Sequence, residues 1–295
     1  MRAALLVLLA LCACTGNGPH VDETAATPPA TPPPGATYAG QDVCVACHDD
    51  QATSFAKTIH AQVLNESRPE SDRGCEACHG PGSVHAEEGG GKGVGGLRAF
   101  VRDEPASGKS AACLRCHAGD VNRHDFLRGE HALSNVGCTD CHAGHGGIGD
   151  AMLRERTPDL CFGCHADVRA AFGMPERHGP NAAPPDCGSC HEPHGTPNTA
   201  SLLEPNDRRC KECHNDIAGP FVFEHAGLVS EGCGGCHEPH GSVNRHMLIR
   251  QPVAMLCYQC HTVTPQTHVQ PSYRDCTRCH ASIHGSNTDP RFIAP

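Results

Sequence analysis

Ten times in this chain two cysteines stand three positions apart with a histidine directly after the second, and that repeat limits what 295 residues can fold into. The pairs are Cys44/Cys47, Cys75/Cys78, Cys113/Cys116, Cys138/Cys141, Cys161/Cys164, Cys187/Cys190, Cys210/Cys213, Cys233/Cys236, Cys257/Cys260 and Cys276/Cys279. The histidines that follow are His48, His79, His117, His142, His165, His191, His214, His237, His261 and His280. Two thiols at this spacing add across the two vinyl groups on one porphyrin edge, and the adjoining imidazole then lies under the iron as proximal ligand. Structural zinc also uses C-x-x-C, but it does not require a His after every second Cys. A disulfide framework or a thioredoxin-like redox pair fails on the same count. With His at 23 of 295 positions, ten in ten excludes accident. The expected cofactor is ten covalently attached haem c.

An ordinary apolar core is not available to enclose them. The chain has no Trp, 8 Phe and 3 Tyr, against 33 Gly and 24 Pro, which leaves little room for long helices or strands. The haems must themselves supply much of the interior. From Cys44 to Cys276 the motifs recur every 26 residues or so, and two kinds alternate. After Cys44, Cys113, Cys161, Cys210 and Cys257 a further His comes 7 to 14 residues beyond the proximal one; after Cys75, Cys138, Cys187, Cys233 and Cys276 it comes only 3 to 6 residues on. The array reads as five two-haem units in tandem. The predicted fold is an elongated multihaem c-type cytochrome, mostly coil with short α-helices around a stacked haem chain and almost no β-sheet. Helix is predicted from Asp49 to Leu64, with Phe55, Ile59 and Val63 on one face, and at Thr157-Pro158 leading into Cys161. Glu87 to Gly96 reads as a mobile surface loop. Gly91-Lys-Gly-Val-Gly-Gly96 and Gly108-Lys109-Ser110 look like phosphate-binding phrases but lack their context, and both read as linker.

Outside the motifs and His20, twelve histidines remain, with at least one in every interval between motifs and one after the last. They supply a second axial ligand for each iron: His60, His85, His124 or His131, His145, His178, His194, His225, His240 or His246, His268 and His284. His131 is preferred because Glu130-His131-Ala132 before Gly137-Cys138 echoes Glu224-His225-Ala226 before Gly232-Cys233; His240 is preferred because Glu-Pro-His recurs at His194. His124 and His246 then read as exposed or propionate-contacting. A His three residues after a proximal His cannot reach round to the opposite face of the same haem, so His145, His194 and His240 must serve a different haem. Met152, Met174, Met247 and Met255 read as packing residues.

The first fourteen residues read as an export signal: Arg2, then the apolar run Ala3 to Leu11, then Leu11-Cys12-Ala13-Cys14, which is similar to a bacterial lipobox with Cys14 as the acylated residue. A plain cleaved signal with incidental cysteines is the alternative. Residues 15–40, rich in Pro, Thr and Ala, read as an extended tether. Residues 41–182 and 183–295 each hold five motifs and are predicted as two pentahaem halves. The net charge of −10 and the absence of a polybasic run exclude nucleic acid as a partner class.

The phrases Cys75-Glu-Ala-Cys-His-Gly-Pro-Gly-Ser83, Glu130-His-Ala-Leu133 with Val136-Gly-Cys-Thr-Asp-Cys-His142, Gly219-Pro-Phe-Val-Phe-Glu-His225 and Arg250-Gln-Pro252 resemble the periplasmic decahaem cytochromes of outer-membrane porin–cytochrome conduits. The resemblance runs from about residue 40 to 285. It implies bis-His haems in two pentahaem halves and a wire-like electron carrier inserted in a β-barrel porin. It also implies an extracellular multihaem cytochrome or terminal reductase beyond the barrel and a periplasmic or quinol-linked donor behind it. The lipobox departs from the family pattern and implies a lipid-anchored protein of the periplasm and outer membrane. The alternatives are a multihaem reductase with one open-site haem and a soluble periplasmic electron store.

Overall fold

The structure, a computed structural model, describes residues 31–293 apart from 102, 122, 150, 180–185, 206 and 262–274. The signal, Cys14, much of the tether and His268 therefore lie outside the described residues.

Each C-x-x-C-H motif folds as a single helical turn. The proximal histidine's N–H donates to the carbonyl of the first cysteine, as in His48 to Cys44 (3.0 Å), His142 to Cys138 (2.9 Å) and His237 to Cys233 (2.9 Å). Positions i, i+3 and i+4 share one face of such a turn, so both thiols and the imidazole project to the same side. In the first kind of motif the turn closes or follows a helix: Gln41–Val45, Ala106–His117, Asp159–Phe162, Arg208–Cys213 and Val253–Cys257. The longest helix among the described residues, Ala106–His117, has twelve residues.

The second kind builds a recurring closed loop. After His142, His191 and His237 the chain reverses and returns eleven residues later, with bridges to Leu153, Leu202 and Leu248. Rungs run from Ala143 N–H to Met152 O, Glu192 N–H to Ser201 O and Glu238 N–H to Met247 O, each 2.8 Å. The turn needs left-handed backbone: Met152, Ala200 and His246 all have φ between 50° and 59°. It also needs the glycine that follows each short-range histidine. Gly241 has φ +148°, and a Cβ there would stand 2.2 Å from the carbonyl oxygen of Ala171. Strand structure among the described residues is confined to a two-rung antiparallel pair, Phe223–Glu224 with Gly285–Ser286.

Only Phe55, Ala77, Ala106, Phe126 and Ala254 are buried apolar side chains among the described residues, too little for a conventional core. Tertiary order comes from buried polar clamps instead. Glu76, 5 % exposed, accepts the N–H groups of Ala39 (2.8 Å), Gly40 (2.9 Å) and Gly82 (2.8 Å).

Two local expectations are corrected. The helix predicted over 49–64 is two, Asp49–Phe55 and Ile59–Val63, because Thr58 Oγ1 donates to Phe55 O (2.8 Å) and accepts from Ala61 N–H (3.3 Å), capping a new helix. Ile59 and Val63 are consequently exposed. Gly108-Lys109-Ser110 is no linker. It sits inside Ala106–His117, where Lys109 donates to Asp140 Oδ2 (2.7 Å) and buried Ser110 accepts from Cys138 N–H (3.2 Å), tying one motif to the next. The Glu87–Gly96 segment folds back on the Ser83–Glu87 helix, with Gly90 N–H donating to His85 O (2.8 Å).

Candidate metal centres

The histidine rings face one another in pairs. Nine such pairs occur among the described residues, and each joins a motif histidine to one outside the motifs. Their ring centres lie 6.3 Å apart for His48–His85, 6.1 Å for His60–His117 and 5.8 Å for His79–His145. The separations are 6.1 Å for His131–His165, 6.0 Å for His142–His194 and 6.1 Å for His178–His214. His191–His240 stand at 6.1 Å, His225–His261 at 6.2 Å and His237–His284 at 6.2 Å. Interplanar angles range from 8° to 62°, so the constant is the gap and not a stacking preference. Two collinear metal–imidazole bonds of about 2.0–2.1 Å, with each ring centre about 1.1 Å behind its nitrogen, add to about 6.3 Å. The donor sets fit an iron taking one imidazole from either side.

The pairing follows a rule that spacing alone does not show. His60, His131, His178 and His225 each reach forward to the proximal histidine two motifs after the one they follow. His145, His194, His240 and His284 each reach back by two motifs. His85 departs from the rule, reaching back only one motif to His48. His268 lies outside the described residues. Of the two alternatives for a second ligand, His124 is exposed, with Nδ1 against Val121 O (2.6 Å) and Nε2 against Asp125 Oδ2 (2.9 Å). His246 is exposed too and works through its backbone: its carbonyl accepts from His237 Nδ1 (2.8 Å).

That last bond is one of a series. Nδ1 of His79 donates to Arg98 O (2.6 Å), His142 to Ala151 O (2.7 Å), His191 to Ala200 O (2.8 Å) and His280 to Arg291 O (2.6 Å). A committed Nδ1 fixes the tautomer, leaves Nε2 as the free electron pair and sets ring orientation. The closed loops exist to deliver these carbonyls, and Met152 and Met247 occupy their left-handed corners. Burial lowers the pKa of His60, His79, His178, His194, His225, His240 and His284, favouring the neutral imidazole that metals bind. The scarce aromatics stand beside these rings: Phe100 edge-on to His79 (5.3 Å), Phe172 near His240 (5.5 Å) and Phe292 edge-on to His225 (5.7 Å).

The thiols give the order of the centres in space. Within each two-motif unit the first cysteines touch: Cys44 with Cys75, Cys113 with Cys138, Cys161 with Cys187, Cys210 with Cys233 and Cys257 with Cys276. Sharing a proton pushes Cys44 up and holds Cys75 at about 7. Between units the second cysteines are neighbours, Cys78 of Cys116, Cys141 of Cys164 and Cys236 of Cys260, while Cys190 lies near Cys210 and Cys213. Spatial order therefore follows sequence order, and the contacts run across the 182/183 boundary without a break.

Seven motif cysteines are exposed, Cys116, Cys164, Cys210, Cys213 and Cys260 among them, and the other thirteen are half-buried. Cys47 and Cys279, the second cysteines of the first and last motifs, are exposed. Both keep the helical-turn placement that aims a motif's thiols and imidazole to one side, with Cys47 N–H donating to Cys44 O (3.2 Å) and Cys279 N–H to Cys276 O (3.2 Å).

Comparison with known proteins agrees with this geometry. The family model described as doubled CXXCH motif matches residues 131–170, 178–219 and 225–266, and that of cytochrome c554 and c-prime matches 97–143. The multiheme cytochrome MtrA of Shewanella baltica is 30 % identical over 271 residues, covering 84 % of this chain and 79 % of the relative.

Proposed function

Because this chain belongs to the MtrA-type multihaem cytochrome family, we propose that it carries ten haems in one unbroken column and conducts electrons between the periplasm and the cell exterior inside an outer-membrane porin. Covalently bound haem c and electron transfer without a substrate of its own are properties of the family. The finer reading concerns number, ligands and place. Each C-x-x-C pair holds one haem through two thioethers, the exposed end thiols of Cys47 and Cys279 included. His48, His79, His117, His142, His165, His191, His214, His237, His261 and His280 are the proximal ligands. Their distal partners, in the same order, are His85, His145, His60, His194, His131, His240, His178, His284, His225 and His268.

The observation that carries this reading is the recurring gap of 5.8–6.3 Å between paired imidazoles. A bis-His iron has no open coordination site and supplies one-electron exchange with little rearrangement. The protein's part is to fix both imidazoles, keep Nε2 deprotonated wherever Nδ1 is hydrogen-bonded, and hold the two centres of each unit at thiol contact. Export, acylation at Cys14 and anchorage at the outer membrane belong to the same proposal. So do its partners: a porin, an extracellular multihaem cytochrome or reductase, and a periplasmic or quinol-linked donor.

The test is the holoprotein's mass together with its ferric paramagnetic resonance spectrum. Ten macrocycles per chain, all low-spin, support the reading; fewer macrocycles, or a stoichiometric high-spin haem, overturn it. Co-purification with a porin in detergent tests the conduit, since a soluble electron store would come away alone.

A further inference from the structure

The Nδ1 partners of the ligand imidazoles are not alike. At His79, His142, His191, His237 and His280 they are backbone carbonyls, and so they are at His85, with Val94 O (3.2 Å), and His131, with Pro193 O (2.8 Å). At His117 the partner is Asp120 Oδ2 (2.7 Å), and at His194 it is Glu192 Oε1 (2.8 Å). The phrase Glu-Pro-His recurs at 238–240, yet Glu238 stands 3.7 Å from His240 Nδ1, beyond hydrogen-bond range. Sequence alone does not mark the difference.

Among the described residues, both carboxylate-bonded ligand imidazoles fall on one unit. His117 is proximal at Cys113/Cys116. His194 faces His142, which is proximal at Cys138/Cys141. The first cysteines of these two motifs touch, so the centres are neighbours. A carboxylate on Nδ1 draws that proton toward itself, makes the ring a stronger donor through Nε2 and favours the ferric over the ferrous iron. Carbonyls do this weakly because they carry no net charge.

Building on the ligand assignment proposed above, we propose that Asp120 and Glu192 are positioning residues that set potential, making the haems of Cys113/Cys116 and Cys138/Cys141 the most reducing adjacent pair in the column. The two contributions are unequal. Asp120 is exposed and shares its charge with Arg123, whereas Glu192 is only 15 % exposed and its Oε1 also accepts His194's own N–H (3.2 Å). Glu192 therefore has the larger effect. Functionally, the pair is an uphill step that divides the column into a short arm of two haems and a long arm of six, each equilibrating internally before charge crosses.

The experiment is a redox titration of the full holoprotein, followed optically and by low-spin resonance, for the wild type, D120N and E192Q. A carboxamide keeps an oxygen for Nδ1–H and removes the charge. In the wild type, two of ten haems should titrate at the negative extreme. E192Q should move one of them positive by at least a tenfold change in the oxidised-to-reduced ratio at fixed potential, about 59 mV for one electron. D120N should move the other by less, and the double variant should move both. E66Q, which removes a surface carboxylate paired with Arg73, should move neither. All variants should keep ten low-spin haems. If E192Q and D120N leave the negative extreme in place with haem count and spin intact, the potential-setting role is wrong. If either becomes high-spin, its carboxylate holds the ligand in place instead, which also overturns the role. A high-spin haem in the wild type would refute the ligand assignment itself.

Discussion

Replacing His194 with alanine distinguishes the crossed ligand pattern from a simpler one in which each histidine serves the motif beside it. His194 lies three residues after His191, but its ring faces His142, 6.0 Å away, while His191 faces His240 at 6.1 Å. H194A should therefore strip one ligand from the haem of Cys138/Cys141 and leave the haem of Cys187/Cys190 six-coordinate. One iron in ten becomes high-spin, and the reduced protein gains capacity for one carbon monoxide per chain where the wild type takes essentially none. Glu192 loses the Nδ1–H it accepts and stays mostly buried, which costs about 1–3 kcal/mol of local stability. Location is settled by epistasis. In a C138A/C141A background, which lacks the attachment site, adding H194A should create no new carbon monoxide site. If the substitution still opens one there, His194 ligates another haem, and the reasoning from ring separation fails.

Lys109 is 5 % exposed at its side chain and donates to both Asp140 and Asn135 O (3.3 Å), so K109A should lower stability by about 1–3 kcal/mol, discounted for the partial exposure of Asp140 and read as a fall in Tm. Burial pushes the Asp140 carboxyl up, but the Lys109 ammonium and the Gly137 N–H more than offset it and leave it below the ordinary carboxylate range. Its contribution is therefore complete above about pH 4 and lost as pH falls further through the depressed value, so acid titration of Tm should show a step that K109A abolishes. G241A, which forces a Cβ to 2.2 Å from Ala171 O at φ +148°, should cost about 1–3 kcal/mol and raise the high-spin fraction at one haem, by resonance. With a net charge of −10, electron exchange with a basic partner should slow markedly between about 0.05 and 0.5 M salt in stopped-flow measurements.

The repeat made the haem sites and the stock of candidate ligands legible, because C-x-x-C-H is a local signal and one turn of helix realises it. The partner of each ligand was not legible. His145 and His79 are 66 positions apart, and what joins them is the path of the chain around cofactors, which no local pattern encodes. Sequence did show that His145, His194 and His240 cannot serve their own haem, since three residues do not reach round a porphyrin. The carbonyls that orient the proximal rings were invisible because a carbonyl has no side chain to read; the histidine–glycine step at 145–146, 194–195, 240–241 and 284–285 was the available signal. Lys109 and Ser110 looked like linker because their phrase resembles a phosphate loop without its context, yet this chain, poor in buried apolar side chains, closes its gaps with ion pairs and caps. Thr58 split a helix whose apolar spacing looked continuous, a case of a hydroxyl competing with the backbone ladder.

The two-motif reach also sets a timetable for biogenesis. In the proposed export, N-terminus first, His60, His131, His178 and His225 would arrive ahead of the motif histidines they face, so those sites would close as soon as they are loaded. The sites facing His145, His194, His240 and His284 would wait for roughly another fifty to seventy residues to emerge. Each late-arriving loop locks a site already filled, and a nascent chain halted midway keeps a reactive, unfinished iron near its trailing end. Stitching of this kind makes the molecule hard to shorten from its C-terminus: every unit removed leaves its predecessor open.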